Sequence, residues 1–172
     1  MTDDTTRQRL THVRADGSAH MVDVSAKPVT VRAATAVGRV LLSSAAVAAL
    51  REGTVPKGDA LSVARIAGIQ AAKRTPDLIP LAYPIGVHAV EVDLVVVDDG
   101  VDLTATVRTA DRTGVEMEAL TAVAVGALAL VDMVKAVDKH ARITDVRVTA
   151  KSGGRSGDWV EPGEAAEPEA SA

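Results

Sequence analysis

Residues 87–109 read VHAVEVDLVVVDDGVDLTATVRT. Over residues 87–97 apolar and polar side chains alternate, which is the period of a strand with one buried face. The tripeptide Asp98-Asp99-Gly100 is a hairpin turn signal, because these residues tolerate the backbone angles of tight turns. Residues 101–109 continue as the returning strand. The stretch therefore predicts an antiparallel β-hairpin.

The segments on either side of this hairpin predict the rest of the fold. Further strands are expected at residues 21–25, 28–42 and 143–150, and helices at about 44–51, 59–74 and 115–137. Ser43 and Asp59 are N-cap residues, and Gly53 ends the first helix. No glycine-rich turn joins the first strand to a helix, which argues against a dinucleotide-binding fold. The order of elements predicts an α+β sandwich with helices on an antiparallel, ferredoxin-like sheet.

The length and composition indicate one folded domain. A chain of 172 residues suits a single domain, and an apolar content of 47% is enough for a core. Residues 1–9 are polar, and residues 161–172 consist mainly of Glu, Pro, Ala and Ser. We therefore expect the folded domain to span residues 10–160, with a disordered tail at each end.

Composition also argues against several classes of function. The net charge is −4 and only 1% of residues are aromatic, so nucleic-acid binding by a basic or stacking surface is not expected. There is no cysteine, and the four histidines have no partner at metal-ligand spacing, so we expect no metal site. The longest apolar run, residues 119–131, is shorter than the roughly 20 residues of a membrane span. The expected setting is the cytoplasm.

The long helix carries charged residues only near its ends. Glu116 and Glu118 lie in its first turn, Asp132 and Lys135 in its last turns, and the apolar stretch between them predicts a helix buried all round. Asp132 and Lys135 share a helix face. They form either an ordinary ion pair or a buried acid beside a buried base, with pKa values near neutrality, that exchanges protons. Glu118 and Asp132 are about 21 Å apart along the helix, so a site that uses both is long or shared between subunits of an oligomer.

Two further segments carry cations. Lys57 precedes the second predicted helix, and Lys73 and Arg74 follow it. Residues 151–157, Lys-Ser-Gly-Gly-Arg-Ser-Gly, combine glycines with cations. Each segment is either a solvated surface or a phosphate-binding site, because Lys, Arg and free backbone N–H groups all bind anions.

Several strings resemble the signatures of the cyclic pyranopterin monophosphate synthase family. They are residues 20–24 (HMVDV), 64–75 (ARIAGIQAAKRT), 77–81 (DLIPL), 113–122 (TGVEMEALTA) and 151–157. The resemblance runs from about residue 10 to residue 159. It implies a ferredoxin-like fold and a cytoplasmic homohexamer, built as a trimer of dimers with active sites between subunits.

The resemblance also implies a reaction and its residues. The family converts a cyclised dihydroguanosine triphosphate, which a radical GTP cyclase makes, to cyclic pyranopterin monophosphate and pyrophosphate, without a metal or other cofactor. By motif, the catalytic residues are Asp132, Lys135, Lys57 and Lys151. The substrate-binding residues are Leu81, Ala82, Tyr83, Glu116, Met117, Glu118, Lys73 and Arg74.

One position departs from the family pattern. The family usually has Cys-His where this chain has Ala82-Tyr83. A histidine titrates near pH 6.5 and a tyrosine near pH 10, so Tyr83 donates a hydrogen bond but does not replace an imidazole in proton transfer. Two alternatives to the synthase stay open: a diverged paralogue acting on a related cyclised purine nucleotide, and a nucleotide-binding oligomer with little catalysis.

Overall fold

The hairpin of residues 87–109 forms one edge of an antiparallel sheet in the computed structural model of the chain, which describes residues 12–14, 16–155 and 157–162. The elements within these residues are β1 (Thr30–Leu41), α1 (Ser44–Glu52), α2 (Ala60–Ala72), α3 (Thr75–Leu78), β2 (Val87–Val97), β3 (Gly100–Asp111), α4 (Glu116–Val134), β4 (Arg142–Ser152) and β5 (Trp159–Val160). The strand order is β2-β3-β1-β4-β5, and every neighbouring pair is antiparallel. The predicted α+β, ferredoxin-like fold is confirmed.

The helices cover one face of this sheet. Along β1 and β3, every second side chain points to the helices and is buried: Ala34, Ala36, Val40, Leu103, Ala105 and Val107. From α4 the side chains of Ala119, Val123, Ala127 and Leu130 join the same core. Small aliphatic side chains allow the sheet and helix layers to approach closely, which suits a chain without phenylalanine.

Helices α2 and α4 cross at glycines. A Cβ atom added to Gly68 would lie 2.9 Å from the carbonyl oxygen of Ala122, and one added to Gly126 would lie 3.3 Å from that of Ala64. Because residue 64 lies opposite 126 and residue 68 opposite 122, the two helices run antiparallel. The C-terminal end of α2 is therefore at the same end of the domain as the N-terminal end of α4.

The capping residues predicted from sequence lie where expected. The Ser43 side chain accepts from the Ala46 amide, Asp59 accepts from Ser62, and Gly53 ends α1 with φ 68°.

The predicted strand at residues 21–25 is wrong. Burial alternates over residues 20–24, but this segment pairs with no strand in the described part of the chain. The alternation reflects an extended segment lying against the domain.

Three further differences concern element limits. The glycine-rich loop begins at Gly153, because β4 continues through Lys151 and Ser152 to pair with β1. The short elements α3 and β5 were not predicted. Most of the two expected tails lies outside the described residues, although Glu161 is described and its amide donates to the carbonyl of Thr149 at 2.7 Å.

The expectation that α4 is buried all round is wrong for the single chain. Its sheet-facing side is buried, but Leu128 is 60% exposed and Met117 40% exposed on the opposite side. By length and composition α4 is able to cross a membrane. Its contacts with the sheet and α2 are those of a core helix in this fold.

Candidate functional site

A Lys–Asp–Lys cluster lies at the C-terminal end of α4. Lys57 Nζ is 2.7 Å from Asp132 Oδ2, and Lys135 Nζ is 2.6 Å from Asp132 Oδ1. Asp132 and Lys135 are one helical turn apart. Lys57 reaches them from the turn between α1 and α2, where Gly58 adopts φ 94°. The fold thus brings together three of the four residues that the resemblance implies to be catalytic.

The two ammonium groups stabilise the charged form of Asp132. Hydrogen bonds from Lys135 and then Lys57 lower the pKa of Asp132 to about 2. The Asp132 side chain is 55% exposed in the single chain. The alternative of a buried acid with a pKa near neutrality is therefore wrong for the isolated chain. Asp132 is an ionised carboxylate that holds two cations beside each other.

Asp138 fixes the chain immediately after this cluster. It is only 6% exposed, and its carboxylate accepts from the Ser43 amide at 2.6 Å and the His140 amide at 2.8 Å. These hydrogen bonds lower the pKa of Asp138, and the bond from the Ser43 amide has the larger effect. Because Ser43 begins α1, Asp138 connects the segment that leads to Lys57 with the segment that carries Lys135.

The opposite end of α4 borders a cavity of about 240 Å³, called here the substrate cavity. It is lined by His12, Leu81, Ala82, Tyr83, Thr113, Gly114, Glu116, Met117 and Glu118. The six residues at 81–83 and 116–118 that the family resemblance selects are all among them. Leu81 lies in a turn that the Ala82 amide closes by donating to the carbonyl of Ile79 at 3.0 Å. Pro84 disfavours a helical conformation at Tyr83.

Glu118 is the buried acid of this cavity. The residue is 3% exposed, and burial, followed by the nearby charge of Glu116, raises the pKa of its carboxyl group. A carboxyl group in such a setting retains its proton to higher pH than an exposed one. It can therefore donate a hydrogen bond as well as accept one.

Cations adjoin the substrate cavity. A smaller cavity of about 120 Å³ is lined by residues that include Arg32, Glu116, Lys151 and Gly153. Lys151 Nζ lies 3.2 Å from Glu116 Oε1. Gly154, with φ 74°, lies so close to the Arg32 guanidinium that a side chain there would collide with it. Lysine, arginine and the glycine-rich backbone together favour an anionic group at this position.

Sequence reasoning did not select Arg32. It lies inside β1 in a stretch of Val, Thr and Ala, and no neighbouring charge or glycine marks it. Its guanidinium also donates from Nε to the carbonyl of Asp111 at 3.1 Å. An isolated arginine at an alternating strand position was the only available signal.

Lys73 and Arg74 lie apart from both groups. They follow α2 at the same end of the domain as the substrate cavity, but neither lines it. Arg74 pairs with Asp77 at 3.2 Å and borders a groove with Ala67, Gln70 and Val125. The structure thus brings together ten of the twelve predicted site residues in two groups, one at each end of α4. Glu116 and Asp132, sixteen residues apart in one helix, are separated by about 24 Å.

Within residues 12–14, 16–155 and 157–162, no three His, Asp or Glu side chains come together in a way that could hold a metal ion. Asp132 is paired with Lys57 and Lys135, and Glu116 is paired with Lys151.

Most of the chain is similar in sequence to known proteins. The model of the MoaC family matches residues 21–154. A protein of Streptomyces griseus named cyclic pyranopterin monophosphate synthase is 66% identical over 154 residues, which cover 90% of this chain and 87% of the relative. A protein of the same name from Streptomyces coelicolor is also 66% identical, over a region that covers 90% of this chain and 91% of the length of that relative. The protein of Mycobacterium bovis named cyclic pyranopterin monophosphate synthase 2 is 55% identical, over a region that covers 88% of this chain and 90% of the length of that relative.

Proposed function

Because the chain belongs to the MoaC family, we propose that it is the lyase that converts (8S)-3′,8-cyclo-7,8-dihydroguanosine 5′-triphosphate to cyclic pyranopterin monophosphate and pyrophosphate. This is a step of molybdenum cofactor biosynthesis. The observation that carries the proposal is the pairing of Asp132 with Lys57 and Lys135 at 2.7 and 2.6 Å, in a chain that has a separate cationic pocket at Lys151.

The reaction needs two kinds of group, and the chain has both. Ring opening and reclosure require proton transfer, which a lysine held beside a carboxylate performs once a substrate takes over part of its hydrogen bonding. We assign this role to Lys135, Lys57 and Asp132. Loss of pyrophosphate requires positive charge where negative charge develops. We assign this role to Lys151 and Arg32, with Lys73 and Arg74 as outer anion contacts.

We assign recognition of the guanine-derived part to the substrate cavity. Leu81, Ala82, Met117 and the ring of Tyr83 supply apolar surface, while Glu116 and Glu118 supply hydrogen-bonding groups. A nucleotide base presents both flat apolar faces and polar edges, so a cavity with this mixed lining suits it.

We propose that a second copy of the chain completes each site. The two groups of site residues are about 24 Å apart in one chain, which exceeds the reach of one small substrate. Exposed apolar side chains lie between them on the outer face of α2 and α4, among them Val63, Ile66 and Leu128, which are 43%, 59% and 60% exposed. Burial of such a face by a twofold-related copy would bring opposite ends of two α4 helices together. A cytoplasmic homohexamer, formed as a trimer of dimers, contains such pairs, and a radical GTP cyclase would supply its substrate.

A diverged paralogue is the second candidate, and Tyr83 is the observation that favours it. The Tyr83 hydroxyl donates to the carbonyl of Val22, so it is already engaged within the chain. A related cyclised purine nucleotide would be the substrate if the reaction on the guanosine compound proves slow.

The test is a coupled assay of the purified chain with a radical GTP cyclase and GTP, with the pterin product detected by fluorescence after oxidation. Asp132→Ala should abolish product formation while the assembly stays folded. Asp98→Ala is the matched control, since Asp98 also pairs with a cation, Arg51 at 2.9 Å, but lies on the exposed hairpin turn.

Product formation by the wild type and by Asp98→Ala, but not by Asp132→Ala, would support the proposal. No product from a correctly folded wild-type assembly would overturn it in favour of the paralogue. Full activity of Asp132→Ala would overturn only the catalytic role assigned to the cluster of Asp132, Lys57 and Lys135, and not the proposed reaction.

A further inference from the structure

Tyr83 separates two cavities and is hydrogen-bonded across one of them. It lines the substrate cavity, and it also lines a neighbouring cavity whose other side is formed by residues 21–25. Its hydroxyl donates to the carbonyl oxygen of Val22. The strip that carries Tyr83 is thus joined to the segment that precedes β1.

The segment of residues 20–24 needs such an anchor. It lies outside the sheet, and its side chains alternate between half-buried at His20, Val22 and Val24 and exposed at the residues between them. Beyond it, Arg112 donates from Nε to the carbonyl of Lys27 at 3.0 Å. The Tyr83 hydroxyl therefore fixes the segment near its middle, and the arginine fixes the turn that follows it.

The anchored segment in turn holds His12. A small hairpin joins residues 12–14 to residues 18–20 through a bridge between Val13 and Ala19. The amide of His20 donates to the carbonyl of His12 at 3.0 Å, and Gly17 turns the chain with φ 84°. His12 lines the substrate cavity together with Glu118 and the strip 81–83.

The imidazole of His12 is oriented by the same hairpin. Its Nδ1 lies 3.3 Å from the carbonyl oxygen of His20. A carbonyl oxygen only accepts, so Nδ1 carries the proton in this contact. In the neutral ring, Nε2 is then left as an acceptor toward a ligand.

We propose that His12 is a substrate-contacting residue of this cavity and that Tyr83 is the residue that positions it, through Val22 and the bridge between residues 12–14 and 18–20. The inference rests on the proposed function for the identity of the substrate. In this chain the imidazole of the cavity comes from the N-terminal segment, and the aromatic residue of the strip 81–83 holds that segment in place.

Two single variants and their combination test the proposal in the coupled assay. His12→Ala removes the imidazole at an exposed position, and we expect kcat/KM to fall about tenfold, the effect of losing one good hydrogen bond to a ligand. Tyr83→Phe keeps the ring and removes the hydroxyl, and we expect a smaller loss in the same direction. Because both changes act through one contact, the double variant should be no worse than His12→Ala.

Amide hydrogen exchange of the unliganded protein gives a readout independent of activity. Tyr83→Phe should speed exchange at residues 20–24. Thr109→Val is the matched control, since the Thr109 hydroxyl also donates to a backbone carbonyl, that of Gly86 at 2.6 Å, but this bond joins β3 to the residue before β2 and does not involve residues 20–24. Equal exchange at residues 20–24 in Tyr83→Phe and the wild type would overturn the positioning role.

Wild-type kcat/KM in His12→Ala, or additive losses in the double variant, would overturn the proposal. An inactive wild type would refute the proposed synthase function separately. In that event GTP is the probe: a shift of the His12 ring resonances on adding GTP would support the contact, and unchanged resonances would overturn it.

Discussion

The Lys57 ammonium lies 2.7 Å from the Asp132 carboxylate, although the two residues are 75 positions apart in the chain. Helices α2 and α3, the β2–β3 hairpin and most of α4 lie between them in sequence. The contact forms because α2 returns antiparallel to α4, which places the turn before α2 beside the end of α4. The close approach at Gly68 and Gly126 therefore determines where the first cation of the cluster stands.

Removing either lysine should raise the pKa of Asp132 from its value of about 2. Lys135→Met should raise it more than Lys57→Met, because the hydrogen bond from Lys135 makes the larger contribution. The measurement is a pH titration of the Asp132 carboxyl carbon by NMR. An unchanged midpoint in both variants would contradict the described pairing.

Glu118→Gln should stabilise the protein at neutral pH and inactivate it. Burial raises the pKa of Glu118 in the folded state, so the native state loses stability as pH rises through and above the ordinary carboxyl range. The neutral amide of glutamine does not ionise, so the variant avoids this loss of folding stability. Thermal unfolding should show a higher Tm than wild type at neutral pH, with the difference shrinking toward acidic pH where the wild-type carboxyl is protonated. A variant less stable than wild type at neutral pH would show that the carboxylate makes favourable contacts.

Asp138→Ala should destabilise the fold by about 1–3 kcal/mol, because it leaves the Ser43 and His140 amides without their acceptor. Urea unfolding measures this loss. The pKa of Asp138 is lowered in the folded state, so the stabilisation is present above the ordinary carboxyl pKa and lost as pH falls below it. The difference between variant and wild type should therefore shrink in acid. A difference independent of pH would point to packing rather than to the charged hydrogen bonds.

Gly68→Ala should cost more stability than Gly126→Ala. The added Cβ atom would meet a backbone carbonyl at 2.9 Å in the first case and at 3.3 Å in the second. Overpacking of a helix crossing typically costs about 1–3 kcal/mol, partly offset by the better helix propensity of alanine. Chemical denaturation of both variants gives the ranking. The reverse order would mean that the helices separate more easily at residue 68 than this geometry indicates.

If copies associate as proposed, Leu128→Asp should break the proposed assembly, because it places a charge on the exposed apolar face of α4. Leu128→Met keeps that face apolar and is the control. Sedimentation or light scattering should show a smaller native mass for Leu128→Asp only, with activity lost in parallel. A full-sized assembly of Leu128→Asp would place the contact between copies on another face.

The sequence predicted those parts of the fold that depend on local chemistry. Ser43, Asp59 and Gly53 fix helix ends within a few residues, and the hairpin follows from the tripeptide at residues 98–100. The segment of residues 21–25 was mistaken for a strand because alternation reports one-sided burial and carries no information about hydrogen-bond partners. Arg32 was missed because it becomes recognisable only beside the loop at residue 153, more than a hundred positions away.

The motifs selected the residues that make up the two groups, but they gave neither the division, in which Lys151 lies beside Glu116 and not beside Asp132, nor the environment of each group. The sequence leaves open both an ordinary ion pair with Lys135 and a buried acid for Asp132, and in the single chain Asp132 is an exposed, ionised partner of Lys135. Helix periodicity places Asp132 beside Lys135. The sequence around residue 132 does not predict the contact with Lys57, which lies in a different part of the chain. That third charge lowers the pKa of the carboxylate further, after the larger effect of Lys135.

The position of the two groups at opposite ends of one rigid helix has a genetic consequence. In a twofold pair, each site would combine the Asp132 end of one chain with the Lys151 end of the other. A chain with a lesion at Asp132 and a partner chain with a lesion at Lys151 would then place both lesions in the same site. A mixed pair would then retain one undamaged site. Two alleles that are each inactive alone should therefore complement each other when co-expressed, while two lesions at the same end should not.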